Sequence, residues 1–280
     1  MVVDMTTTQP NSAAPKPTVP AVARAARMLE VVSASASGMT LSEIARAIGA
    51  PKSSCLSVCT TLVESGLLVR SGAGTYQLGW KVVQLGRAYL ARSDIATEFR
   101  RVDAELGLLA EDTIVLSLLD GRNVLYVHTR AGSRPVAVHY EIGMRLPAHC
   151  TASGKSLLAA LPPDTAAALY TDGAFDSLTR HSITSMPDLA RELERIRRRH
   201  YAIDDEETAL GMVCFGAAIL GPGGPVGALS VSMVKAAVDA GRAVRAVESL
   251  LRLAHALTAR LGGPEIEPCP VEPPELVLGR

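Results

Sequence analysis

Length, composition and charge narrow the class of protein before any motif is considered. The chain has 280 residues, of which 48% are hydrophobic and 20% are charged, as expected for a globular protein with two ordinary domains. No apolar run reaches the ~18 residues that a membrane span requires. The first twenty residues lack the apolar segment of a signal peptide, so we expect residues 1–19 to be disordered.

Cysteine usage and the distribution of charge point to a compartment and a partner. The five cysteines are widely scattered, which argues against a disulfide framework and favours a reducing cytoplasm. The formal net charge is zero, but residues 1–95 carry nine lysines and arginines against five acidic residues, a net +4. Residues 96–280 carry nineteen against twenty-three, a net −4. This asymmetry favours a polyanionic partner for the N-terminal part.

Helical periodicity dominates the first third of the chain. The spacing of apolar residues predicts helices at 22–33, 41–48, 52–64 and 80–92, and strands at 67–69 and 75–78 around a turn at 71–74. Thr40 and Glu43 form a capping box for the second helix, because each can bond the other's backbone. Gly49 and Pro51 end that helix.

The periodicity becomes mixed after a further predicted helix at 96–110. The predicted strands lie at 114–119, 124–128, 136–140, 213–220 and 226–234, and the predicted helices at 153–161, 163–170, 187–200 and 240–261. The tail from Gly263 is rich in proline and glutamate, so we expect it to be disordered. Antiparallel hairpins alternating with helices predict an α+β fold for this part.

Residues 41–58 have the spacing of a helix-turn-helix. Ala45 is small where the two helices cross, and Gly49 occupies the turn. The second helix can enter the major groove of DNA, and the hairpin after it resembles the wing of winged-helix proteins. The polar residues of that helix are the predicted DNA contacts: Lys52, Ser53, Ser54, Ser57 and Thr61. The alternative is a helical hairpin in an ordinary helical domain.

Three motifs, in one order, resemble the IclR family of bacterial transcription regulators between about Ala21 and Gly262. They are Leu41–Ala50 with Pro51-Lys52-Ser53-Ser54, then GMRLPAHCTASGKSLLA at 143–159, then YAIDDEE at 201–207 with GMVC at 211–214 and GALSVS at 227–232. The recognition helix departs from the family's usual pattern. Ser57 stands where the family usually has arginine or a similar residue, and Leu56 where it has an aromatic residue or histidine.

The resemblance implies a domain order and an activity. It implies a winged helix-turn-helix at 20–80, a linker helix at 81–95, a GAF-like effector-binding domain with a mainly antiparallel sheet at 96–262, and a disordered tail at 263–280. It also implies a cytoplasmic homodimer or tetramer that binds operator DNA. Repression is favoured over activation.

The resemblance also places an effector pocket, on Ala152, Ser153, Asp204, Cys214, Ser230 and Ser232. The first two begin a predicted helix, where free N–H groups favour a carboxylate. The two strand serines alternate and therefore point to one face. We expect a small organic acid, held without a buried cation, against an apolar wall of Leu146, Met212 and Val138.

The sequence also allows other interpretations of several residues. A thiol-dependent hydrolase using Cys150 or Cys214 is the alternative function, and a protein-binding scaffold is a third. The acidic run 204–207 is interpreted as a solvated helix entry, and the arginines at 195–199 as pairing within an exposed helix. Cys55 and Cys59 are interpreted as core residues. We expect no enzymatic activity, no metal and no cofactor.

Overall fold

The computed structural model describes residues 19–91, 94–134 and 139–266, together with residues 271 and 274. The chain divides into two compact units, with the boundary between residues 92 and 93. Most residues of the segments predicted to be disordered lie outside the described residues, as does most of the predicted strand 136–140, including Val138. The two described residues of that strand, His139 and Tyr140, are not in strand conformation.

The N-terminal unit consists of helices and a small sheet. Its elements are α1 (Pro20–Ser33), β1 (Met39–Thr40), α2 (Leu41–Ile48), α3 (Lys52–Glu64), β2 (Leu68–Arg70), β3 (Thr75–Leu78) and α4 (Trp80–Ala91). The three strands are antiparallel in the order β1-β3-β2. The winged helix-turn-helix order is confirmed, and β1 is an additional strand that the sequence did not predict.

Local chemistry accounts for the boundaries of α2. The Thr40 side chain accepts from the Glu43 N–H, and the Thr40 N–H donates to Glu43 Oε2 at 2.7 Å, which completes the predicted capping box. Gly49 ends the helix with φ +66, in the left-handed region. Cys55 and Cys59 are fully buried in the core of this unit, as predicted.

The C-terminal unit has a six-stranded antiparallel sheet in the order β6-β5-β4-β9-β8-β7. Its elements are α5 (Asp94–Leu106), β4 (Thr113–Asp120), β5 (Asn123–Arg130), β6 (Arg145–Pro147), α6 (Ala152–Ala160), α7 (Pro163–Ala168), α8 (Met186–Arg199), β7 (Ala202–Asp205), β8 (Met212–Gly221), β9 (Gly224–Val234), a 3₁₀ turn (Lys235–Ala237) and α9 (Ala240–Arg260). The predicted α+β class is confirmed, and β6 and β7 were not predicted.

The two faces of this sheet carry different helices. Gly216 of β8 lies directly against the first residues of α6, since a Cβ there would stand 2.4 Å from the Ala152 carbonyl. Gly227 of β9 points to the opposite face of the sheet, and a Cβ there would stand 2.5 Å from Ile95 of α5. Because strand side chains alternate, α6 covers one face and α5, with α9 packed on it, covers the other.

The arginines of α8 form ion pairs within the helix, as the sequence predicts. Arg195 and Arg199 pair with Glu192, and Arg197 and Arg198 pair with Glu194. These arginines therefore belong to intrahelical pairs rather than to a basic patch. In the ranges that the structure describes, no helix is long and apolar enough to cross a membrane.

Candidate functional site

The outward face of α3 carries most of the predicted DNA contacts. Lys52, Ser53, Ser57 and Thr61 are exposed. Leu56 lies among them with 46% of its surface exposed. The structure thus presents an α3 face that is mostly short and hydroxylated, with one apolar side chain near its centre.

Ser54 differs from the other predicted contacts. It is half-buried, and Arg24 of α1 donates to its Oγ through Nη1 at 2.6 Å. This bond brings a guanidinium to the N-terminal end of α3. Sequence reasoning missed Arg24, because its contact with Ser54 spans 30 residues.

Hydroxyl protons along α3 are already engaged. Thr60 Oγ1 donates to the Leu56 carbonyl at 2.9 Å, Thr61 Oγ1 to the Ser57 carbonyl at 3.2 Å, and Ser57 Oγ to the Ser53 carbonyl at 3.4 Å. The outward oxygens therefore present lone pairs, which suit the amino groups of cytosine and adenine. Thr60 was missed, although the helical period from Ser53 through Ser57 leads directly to it.

The hairpin after α3 forms the wing. Ser71 and Thr75 close its turn, with their hydroxyls 2.7 Å apart, and Gly74 adopts φ +83. Arg70, at the end of β2, lies with its guanidinium 5.8 Å from the centre of the Tyr76 ring. This contact orients one long cation on the wing, where phosphate oxygens are the usual partners.

The predicted effector residues of α6 lie at its buried first turn. Thr151 is the N-cap and accepts from the Gly154 N–H at 3.0 Å, and its carbonyl accepts from the Lys155 N–H. The N–H groups of Ala152 and Ser153 have no acceptor within the helix, because they belong to its first turn. Both residues are buried, so a ligand that reached these donors would be shielded from water.

Strand register places the other predicted residues opposite this turn. Cys214 pairs with both Asp204 and Ser232, and Ser230 pairs with Gly216. Directly paired residues share a face, so all four side chains point toward α6. Cys214 Sγ donates to Ser232 Oγ at 3.3 Å.

Asp204 has a structural role as well as a place in this group. Its Oδ1 accepts from the Glu207 and Thr208 N–H groups at 2.8 and 3.2 Å, and its Oδ2 accepts from Thr208 Oγ1 at 2.5 Å. These bonds hold the bend that follows β7. The interpretation of 204–207 as a solvated helix entry is therefore wrong, because Asp204 and Asp205 belong to β7, and Asp204 and Glu207 are buried.

A buried cation accompanies these carboxylates, contrary to the expectation. Lys155 of α6 is 1% exposed, and its Nζ contacts Glu207 Oε1. Burial raises the pKa of Glu207 to about 8, with Lys155 opposing the rise and Asp204 adding to it. Burial likewise raises the pKa of Asp204. Lys155 lowers the pKa of both carboxyl groups, but burial outweighs it, so this medium of low polarity favours their protonated forms.

Two tyrosines complete the buried group and were also missed. Tyr126 of β5 and Tyr140 lie with their ring centres 6.0 Å apart, and the Tyr140 hydroxyl is 3.8 Å from Cys214 Sγ. Leu146 and Met212, predicted as an apolar wall, are buried. Neighbouring Ser117 of β4 donates to Ser153 Oγ at 3.2 Å. The first turn of α6 therefore meets a lining that is polar on one side and aromatic on the other.

The candidate thiols are poor nucleophiles. His149 Nε2 and Cys150 Sγ both contact the Asp176 carbonyl, at 2.8 and 4.0 Å, rather than each other. Burial raises the pKa of Cys150 and raises that of Cys214 to about 12, so both stay protonated at neutral pH. Within the described ranges, no group of three or more potential ligand side chains could hold a metal ion.

Comparisons with known proteins agree with this architecture. The model of the IclR helix-turn-helix domain matches residues 21–72, and the model of the bacterial transcriptional regulator IclR C-terminal domain matches residues 87–259. The HTH-type transcriptional regulator XynR of Escherichia coli K12 is 30% identical over 250 residues, which cover 89% of this chain and 99% of XynR.

Solved structures show the same similarity. The repressor BlcR of Agrobacterium tumefaciens is 33% identical, with a TM-score of 0.57 over 88% of this chain and 99% of its own. An IclR homologue of Microbacterium hydrocarbonoxydans, complexed with 4-hydroxybenzoate, shares the fold with a TM-score of 0.73 at 23% identity, over 86% of this chain and 98% of its own. The family models together span most of the described residues. The chain therefore belongs to the IclR family of bacterial transcriptional regulators, with an N-terminal DNA-binding domain and a C-terminal effector-binding domain.

Proposed function

We propose that this regulator is a repressor whose operator affinity is controlled by a small organic acid bound at the first turn of α6. The observation that carries the proposal is the convergence of the Ala152 and Ser153 N–H groups with the side chains of Cys214, Ser230 and Ser232 on one buried sheet face. BlcR, named a repressor, supports the direction of regulation by similarity. The thiol-dependent hydrolase is not supported, since the matched relatives are regulators, and we infer that the chain is not an enzyme.

DNA contacts in this proposal come from the exposed face of α3. Lys52 neutralises a phosphate, while Ser53, Ser57 and Thr61 accept from base amino groups or contact phosphates. Ser54 acts by holding the Arg24 guanidinium near the backbone. Leu56 offers an apolar surface that fits the methyl group of thymine. The short side chains leave an α3 face that can approach the groove floor closely.

Charge limits which acids the pocket accepts. The Lys155 ammonium is already paired with Glu207, so the backbone donors and hydroxyls must bind an incoming carboxylate. Asp204 disfavours a second anion unless it accepts from a ligand hydroxyl. We therefore favour a hydroxy- or keto-acid. The fold relative that binds 4-hydroxybenzoate is complexed with an acid that carries a hydroxyl.

Assembly and location follow from the α4 surface and the DNA target. Trp80, Val83 and Leu85 are 65%, 67% and 54% exposed, so we propose that a partner copy covers α4 in a homodimer or tetramer. Two helix-turn-helix units, each spanning about residues 20–80, would then read an inverted repeat. We infer a cytoplasmic location, since operator DNA and the free buried thiols both fit a reducing compartment.

Two measurements test this function. Lys52→Ala combined with Ser54→Ala should weaken binding to the promoter beside its own gene about tenfold or more at low salt. Arg198→Ala, an equal loss of charge at an exposed position of α8, should leave binding unchanged. Equal affinities for the two proteins would contradict the placement on α3.

The second measurement concerns the effector. Calorimetry against a panel of hydroxy- and keto-acids should detect binding that Ser230→Ala with Ser232→Ala abolishes, while exposed Ser177→Ala retains it. The effector should change operator affinity by a coupling of ~1–3 kcal/mol. An acid that binds the double variant as tightly as the natural protein would place the pocket elsewhere.

A further inference from the structure

A second cleft lies away from the first turn of α6, at the edge of the sheet. It has a volume of about 200 Å³ and is lined by α6, α8, β8, α9 and Ile266. At roughly 30 Å³ per water molecule, this space holds six or seven waters or one small organic molecule. Its walls are mainly apolar, with Ala159, Ile196, Leu220 and Leu251 among them.

The cleft exists because β7 is shorter than β8. Their pairing runs only from Asp205–Val213 to Ala202–Gly216, so the described residues place no strand beside the remainder of β8 on that edge. The Glu206 N–H donates to the Met212 carbonyl at 3.0 Å, so Met212 and every second residue after it direct their backbone N–H and C=O groups toward this edge. Ala218 belongs to the same alternating set as Met212, and its N–H therefore points to the side where the cleft lies.

The ionisable side chains that line the cleft are all basic. They are Arg197 of α8, His200 directly after α8, and His255 of α9, whereas α6, β8 and Ile266 bring no ionisable side chain to the lining. Arg197 donates through Nε to the Ala159 carbonyl at 3.0 Å and pairs through Nη1 with Glu194 at 3.6 Å. These contacts fix the guanidinium plane and leave Nη2 for a ligand.

His200 and His255 both line the cleft. Burial lowers the pKa of His255, and nearby His200 lowers it further. An anion between them would reverse the second effect, because it stabilises both imidazolium ions. Three potential cations around an apolar floor are thus arranged as an anion site for a molecule with an apolar body.

We propose that this cleft binds a small carboxylate with an apolar body, as a second ligand site distinct from the first turn of α6. Arg197 and the Ala218 N–H hold the carboxylate, the protonated histidines flank it, and the apolar body rests on Ile196, Leu220 and Leu251. Both sites contact α6, one at its first turn and the other at Ser156, Ala159 and Ala160.

The test uses the full-length protein and sodium benzoate, followed by NMR of the histidine side chains. Benzoate should move the His200 and His255 signals and raise the pKa of each by about half a unit, while exposed His181 stays unchanged. Proton linkage then requires about threefold tighter binding per histidine as the pH falls through the two pKa values. If His200 and His255 do not respond to 20 mM benzoate, the proposal is wrong.

Variants separate this site from the effector pocket. Arg197→Met should weaken benzoate binding at His200 and His255 about tenfold or more, and Arg198→Met on the same helix should not. His255→Gln, which leaves α8 intact, should weaken it as well. The double variant Ser230→Ala with Ser232→Ala should leave the benzoate-induced shifts of His200 and His255 unaltered, whether or not it still binds the proposed effector. Loss of the shifts in that double variant, or equal binding by the two arginine variants, would overturn the proposal.

The probes also define the chemistry. Benzyl alcohol has the apolar body without the charge, and inorganic phosphate has charge without the apolar body. Each probe should bind about tenfold more weakly than benzoate, as judged from the concentration needed to move the His200 and His255 signals. Equal binding of benzyl alcohol would show a cleft that does not select for anions and would refute the assignment.

Discussion

Glu207→Gln is expected to change how the stability of the C-terminal unit depends on pH. Glutamine keeps the shape of the protonated glutamate and an oxygen that can accept from Lys155 Nζ. It cannot ionise. The natural side chain can, but its Oε2 is buried without a hydrogen-bond partner among the described residues. The natural protein must therefore accommodate a poorly solvated charge when Glu207 loses its proton.

The size of the effect follows from the shift in the Glu207 pKa, from its ordinary value of 4.5 to about 8. Because the folded state binds the proton more tightly, the stabilising contribution is complete below pH 4.5 and is lost as the pH rises through about 8. One pKa unit corresponds to ~1.4 kcal/mol. Between pH 6 and pH 8 the natural protein should lose about 2 kcal/mol of unfolding free energy from this group, and Glu207→Gln should not.

Urea unfolding at pH 6, 7 and 8 measures this difference. Four of the six tyrosines, Tyr126, Tyr140, Tyr170 and Tyr201, belong to the C-terminal unit, so the near-ultraviolet signal of tyrosine reports mainly that unit, while the single tryptophan, Trp80, reports the other unit. Histidines titrate in both proteins, so their contribution cancels in the comparison.

The neighbouring residue provides a matched control. Glu206 bonds Lys235 and the Gly211 N–H, and these contacts, Lys235 first, lower its pKa. Glu206→Gln should thus alter stability by the same amount at pH 6 and pH 8. The reasoning would be refuted if Glu207→Gln also differed from the natural protein by a constant amount. Glu207 would then be ionised throughout this range, with Lys155 outweighing burial.

Three further outcomes are expected. Thr40→Ala should destabilise the N-terminal unit by about 1 kcal/mol through loss of the capping box, measured by Trp80 fluorescence in urea, whereas Thr60→Ala should have a smaller effect. Gly216→Ala should destabilise the C-terminal unit by about 1–3 kcal/mol, because its Cβ would meet the α6 backbone at 2.4 Å; an unchanged tyrosine transition would contradict that contact. Arg24→Met should weaken operator binding severalfold and reduce its salt dependence by about one phosphate contact, and an unchanged salt slope would show that Arg24 only supports Ser54.

Local chemistry determined the N-terminal unit almost completely. The capping box at Thr40, the left-handed Gly49 and the apolar period of α2 and α3 act over a few residues, so the sequence predicted 41–48 and 52–64 at the observed boundaries. The same holds for the arginines of α8, whose partners lie three to seven residues away. The IclR-like motifs extended the prediction to the sheet and the order of the domains.

The buried charges of the C-terminal unit were decided only by tertiary structure. Lys155 and Glu207 are 52 residues apart, and in the sequence each looks like a surface residue beside other polar residues. The sheet brings β7 under α6 and removes water from both, so a run of carboxylates becomes the end of a strand and a bend held by Asp204. Burial depends on which surfaces pack together, and no local pattern records it. For that reason the sequence missed the buried Lys155 and the burial of Asp204 and Glu207 beside it.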